Sequence, residues 1–88
     1  MPRIDREAAR ILGIEVRSGD KMIGRLIDIL VRADGSIYAA VIEYGGFLGI
    51  GSRKVAVPWP GLRFERHGRD LVAIIDLTVD ELRSAPEY

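Results

Sequence analysis

The sequence predicts a mainly β fold of five or six short strands with tight turns and one short C-terminal helix, forming a small barrel or sandwich. Three observations predict it. Turn signals recur: Gly stands beside Asp in "SGDK" (18–21) and "ADGS" (33–36), and "HGRD" (67–70) turns around Gly68; such residues tolerate the positive φ of tight hairpins. The stretches between the turns are β-branched, aromatic or alternating. The period changes only at "TVDE" (78–81), where Thr78 and Glu81 have the spacing of a capping box.

The elements follow in chain order. "ARILG" (9–13) is compatible with a helix end or a first strand. "MIGRLIDILVR" (22–32) is rich in Ile, Leu and Val and interrupted by Arg25 and Asp28, which suits a strand better than a helix. "SIYAAVIEY" (36–44) returns as its hairpin partner. Ile37, Ala39, Val41 and Glu43 lie on one face of it, and Tyr38, Ala40, Ile42 and Tyr44 on the other. After a glycine-rich connection, "RKVAVPW" (53–59) is a strand that Pro58 ends or confines to an edge, because proline has no amide hydrogen for the ladder. "LRFER" (62–66) and "LVAIIDL" (71–77) form the next hairpin, and a helix from Val79 to about Ser84 stops before Pro86. An open sheet this small leaves two unpaired edges, so closure into a barrel is expected. The expected core is Val16, Ile23, Val41, Val55, Val57, Leu62, Leu71, Val72 and Ile74, with Trp59 packed over one barrel end.

The residues from "GIEV" (13–16) through "GDKMIGRLIDILVRADGSIYAAVIEYGGFLGIGSRKVAVPW" (19–59) to "LRSAPEY" (82–88) resemble the PRC-barrel family, named for the H subunit of the photosynthetic reaction centre. The most specific part is "GGFLGIG" followed by "KVAVPW". The resemblance covers Ile11 to Tyr88, which makes residues 1–10 an N-terminal extension and 11–88 the PRC-barrel domain. It implies a six-stranded barrel with glycines at turns and a short C-terminal helix. Members occur as the cytoplasmic part of the H subunit, as the C-terminal half of a ribosome-maturation factor that binds a small-subunit ribosomal protein, and as short stand-alone proteins. This sequence shows neither the membrane helix of the first nor the partner domain of the second, so neither specific function carries over. No catalytic residue is attached to the family's motif.

Composition narrows the function classes. The 88 residues suffice for one core but not two, and 48% hydrophobic with 30% charged residues is the balance of a globular domain. Thirteen basic residues against thirteen acidic ones leave no overall field to attract nucleic acid or an anionic membrane, so any such binding needs a local patch. The absence of cysteine excludes disulfides and thiolate metal sites and fits a reducing cytosol. With no apolar stretch of signal-peptide or membrane-span length, the chain reads as soluble and cytoplasmic.

The connection Gly45–Gly51 invites comparison with phosphate-binding loops and fails it. Gly46 and Gly51 have P-loop spacing, but Ser52 and Arg53 follow where Lys and Ser or Thr are needed to reach the phosphates and magnesium. The dinucleotide fingerprint lacks its third glycine. The glycines instead permit a wide turn or bulge, leaving Phe47, Leu48 and Ile50 either to plug a barrel end or to mark an interface together with Trp59. His67 is the sole histidine and sits in a polar turn. Asp20, Asp28, Asp34 and Asp76 lack calcium-loop spacing, and Ser18, Ser36, Ser52 and Ser84 have one histidine to share. The expectation is therefore no enzyme, no metal and no cofactor.

Two functions stay in view. The first is a non-catalytic interaction module that forms a homodimer or docks onto a protein partner through Phe47, Leu48, Ile50 and Trp59. The second is an RNA- or ribosome-associated binder, by analogy with the maturation factor, using Arg53 and Lys54 together with Arg63, Arg66 and Arg69 for RNA or an acidic partner.

Overall fold

The computed structural model describes residues 10–45 and 52–88, apart from the side chain of Val79. Six strands form one sheet among them: β1 (Glu15–Ser18), β2 (Lys21–Val31), β3 (Ile37–Tyr44), β4 (Arg53–Pro58), β5 (Leu62–His67) and β6 (Asp70–Ile75). A 3₁₀ turn (Trp59–Gly61) joins β4 to β5, and helix α1 (Val79–Ser84) follows β6. Spatial order is β4-β3-β2-β1-β6-β5, antiparallel throughout except where β1 runs parallel to β6. Of residues 9–13, which suit a helix end or a first strand, residue 9 lies outside the described residues and 10–13 are neither helix nor strand.

The sheet is not closed by a ladder between β4 and β5, which is the correction to a simple barrel. It is nonetheless curled. A flat six-stranded sheet would hold its edge strands about 24 Å apart, at about 4.8 Å per strand. The link from Pro58 to Leu62 spans at most about 14 Å even when extended. The two edges must therefore be brought round towards each other at the Trp59–Gly61 corner, which packs against β3.

Irregularities in β2 help the sheet bend. The register shifts between Leu26 and Asp28 against β3, so Ile27 is an extra residue. Leu26 opposite Ile42 and Ile29 opposite Ala40 then both face the core, three residues apart, while Asp28 stays exposed. Without that bulge, strict alternation would carry Asp28 inward with Leu26. A second shift against β1 falls at Ile23, beside Gly24. Gly24 is where β2 and β3 touch: a Cβ there would overlap the Glu43 carbonyl oxygen and lie 2.9 Å from Tyr44 Cα. The β2–β3 turn is held by Asp34, whose Oδ1 accepts from the Ser36 amide (2.9 Å) and hydroxyl (2.7 Å). These bonds, the backbone one foremost, hold its carboxyl below the ordinary aspartate range.

The central core joins Val16, Leu26, Ala40, Ile42, Tyr44, Val55, Val57, Leu62, Ala73, Ile75 and Leu82. Val16, Val55, Val57 and Leu62 were expected there. Val41, Val72 and Ile74 are buried, but they lie outside this cluster, and the adjacent Ala40, Ile42, Ala73 and Ile75 supply the inner face instead. The reason is that β3 and β6 are interior strands buried on both faces, where an unbroken apolar run carries no alternation to read. Ile23 and Leu71 are only partly buried. Trp59 is also partly buried, packed against the core with its ring centroid 5.6 Å from that of Phe64.

The helix forms as its sequence predicts. Thr78 Oγ1 accepts from the Glu81 amide (3.1 Å) and Glu81 Oε1 from the Thr78 amide (3.2 Å), so two otherwise orphaned donors are satisfied. Leu82 is fully buried. At the other end Arg53 donates to the carbonyls of Arg83 (2.7 Å) and Ala85 (3.3 Å). Beyond the helix Glu87 bridges Val55, and the Tyr88 amide donates to the Lys54 carbonyl (2.7 Å), so the C-terminus covers the outer edge of β4. Among the described residues no helix is long and apolar enough to cross a membrane.

Two outcomes follow from this packing. Gly24→Ala should destabilise by about 3 kcal/mol or more, because the obstacle is backbone rather than a mobile side chain. Trp59→Ala should cost about 2 kcal/mol, less than the ~3–5 of a fully buried tryptophan. Chemical denaturation monitored by far-UV circular dichroism checks both.

Candidate functional site

The parallel register of β1 and β6 builds a charged concave feature. Val16 is paired with Ala73, so the residues preceding β1 lie level with the β5–β6 hairpin. A tight turn fixes that preceding segment on β2: the Gly13 amide donates to the Leu26 carbonyl (2.6 Å), and the Leu26 amide donates to the Ile14 carbonyl (3.0 Å). Gly13 adopts φ 90°, a left-handed conformation suited to glycine.

The result is a cleft of about 500 Å³ into which Arg10, Arg17, Arg25, Arg66 and Arg69 converge, together with His67. Glu15 and Asp70 are its carboxylates. Five guanidinium groups against two carboxylates give a local charge of +3, with His67 neutral, in a chain whose net charge is zero. Arg17 is paired with Glu15, and Arg25 Nη1 donates to the Gly13 carbonyl (3.0 Å). His67 Nε2 meets Glu65 Oε1 at 3.2 Å. Among the described residues, Arg10, Arg66 and Arg69 make no side-chain hydrogen bond or ion pair, and all three are exposed. Their planar donor forks therefore remain available for an anionic group such as carboxylate or phosphate.

The basic residues singled out in the sequence separate into three places. Arg66 and Arg69 enter the cleft. Arg63 lies on β5 beside Glu65 (3.4 Å) and Asp76 (3.3 Å), an exposed cluster of little energetic weight. Arg53 is committed to the end of α1, and Lys54 is exposed on β4, where its carbonyl receives the Tyr88 amide. Phe47, Leu48 and Ile50 lie outside the described residues. Trp59 stands at the corner between β4 and β5. Arg10, Arg17 and Arg25 escaped sequence reasoning. Their signal is faint, since Arg17 and Arg25 share a region only once the β1–β2 hairpin forms, and Arg10 joins them only through the turn at Gly13.

No match to this chain is found among curated proteins. Residues 4–82 match the family model of the PRC-barrel domain.

Proposed function

Because the chain belongs to the PRC-barrel family, we propose that it is a non-catalytic, cytoplasmic assembly module that self-associates and docks onto a protein partner by holding an acidic segment of it in the arginine cleft. The observation that carries this reading is the convergence of five arginines, three of them unpaired among the described residues, in a chain with no net charge. A local excess of this kind steers an acidic partner by its own field and offers paired N–H donors to each carboxylate. The cleft's floor is only modestly apolar, with Ile14, Leu71 and Val72, so recognition falls mainly on charge.

RNA is the second reading, because the same guanidinium forks match phosphate and the family includes a ribosome-maturation factor. The cleft favours the acidic peptide: it contains Glu15 and Asp70, and no Phe, Tyr or Trp lines it to serve as a broad platform for an unpaired base.

Fluorescence anisotropy with a labelled Asp/Glu-rich peptide, and in parallel with a single-stranded RNA of equal charge, tests both readings. The wild type should bind the peptide, with affinity falling as salt rises. The double variant Arg10→Glu, Arg69→Glu should weaken binding about tenfold or more while leaving the melting temperature within a few degrees. Tight RNA binding with a steep salt dependence and no peptide binding would replace the first reading by the second.

A further inference from the structure

The two edges of the sheet are treated differently by the chain. The outer edge of β4 receives Glu87 and Tyr88, whereas β5 has β6 on one side and, among the described residues, no strand on the other. His67 and Asp70 bracket the two-residue turn Gly68–Arg69. In such a hairpin the bracketing pair exchanges hydrogen bonds, so His67, Glu65 and Arg63 turn their backbone groups to β6, and Arg66, Phe64 and Leu62 turn theirs outward. The Leu62 amide obeys this parity, since it donates to the Trp59 carbonyl rather than into the ladder.

We propose that the edge of β5 that no described strand covers pairs antiparallel with β5 of a second copy of this chain, about a two-fold axis midway between the two Phe64 residues. The inference deepens the self-association half of the proposed function. Its basis is charge. A two-fold axis perpendicular to the sheet keeps each face on its own side, and only outward-facing residues can bond across the edge, so three registers give substantial overlap. Pairing Leu62 with Phe64 sets Arg63 directly against Arg63. Pairing Phe64 with Arg66 sets Glu65 against Glu65. Pairing Phe64 with Phe64 sets Arg63 against Glu65 of the second copy, and Glu65 against its Arg63.

Only the third register is complementary, and like charges directly opposite one another penalise the other two. In that register the amides of Phe64 and Arg66 donate to the carbonyls of Phe64 and Leu62 across the axis. The two Phe64 rings meet on the inner face, where each packs against its own core beside Trp59. The charges that protect an edge strand from indiscriminate pairing thus select one partner, which is this strand itself.

Sedimentation velocity from micromolar to about 200 μM tests the register through charge reversal, on a concentration scale suited to weak association. The wild type should dimerise. Arg63→Glu and Glu65→Arg, each alone, place two like-charged pairs across the axis and should raise the dimer dissociation constant about tenfold or more. Mixed in equal amounts, the two single variants become complementary to each other and should form a heterodimer of near wild-type affinity, as should the double variant carrying both changes. Far-UV circular dichroism confirms that each variant remains folded. A wild type that stays monomeric overturns the proposal. So does a dimer that neither single reversal weakens, or mixed variants that stay apart. Peptide binding by the cleft variant Arg10→Glu, Arg69→Glu is measured separately, so loss of docking and loss of dimerisation are distinguishable.

Discussion

Three residues at the corner between β4 and β5 constrain most of this fold. Trp59–Gly61 connects the strands at the two opposite edges of a six-stranded sheet. Both strands run in the same sense relative to the sheet, so the corner does not make a hairpin; it carries one extended path round from one edge to the other. Pro58 and Pro60 suit that place, since neither can donate to a ladder that stops there. Once the edges are drawn together, the inner face must shrink, and the bulges at Ile23 and Ile27, with the close approach at Gly24, provide the bending that a regular strand resists.

Curling without a closing ladder leaves the core open between the edges, and the C-terminal segment fills part of that opening. Leu82 completes the core from α1, and the residues after the helix extend the β4 edge. Arg53 ties both together, because its guanidinium takes the carbonyls at the end of α1 while its backbone belongs to β4. A basic residue that invites a binding role on sequence grounds is therefore a structural one. Its charge matches the negative end of the short helix, and its forked donors satisfy oxygens that the helix cannot.

The cleft depends on the one parallel pairing. Were β1 paired with an antiparallel neighbour, the turn at Gly13 would lie at the opposite end from the β5–β6 hairpin. Parallel alignment puts Arg10 and Arg17 beside Arg66 and Arg69, and the β1–β2 hairpin brings Arg25 to the same place. Concentrating like charges costs self-repulsion, which exposure to water and the nearby Glu15 and Asp70 reduce. Membership of the family accounts for the strand framework.

The local structure was legible in the amino-acid sequence. The Gly-Asp turns, the strand runs between them, the edge position of the strand ending at Pro58 and the capping box of Thr78 and Glu81 all arise from interactions within a few residues, which a linear pattern records. The family was legible too, through its glycine motif and the strand after it. The choice between the two faces of β3 and β6 was not, because both faces are apolar and only the neighbouring strands decide which turns inward. Nor was the cleft. Arg10 and Arg69 stand at opposite ends of the domain in sequence, and what makes them neighbours is the pairing of the first strand with the last, a contact whose register depends on packing across the whole sheet rather than on any local signal.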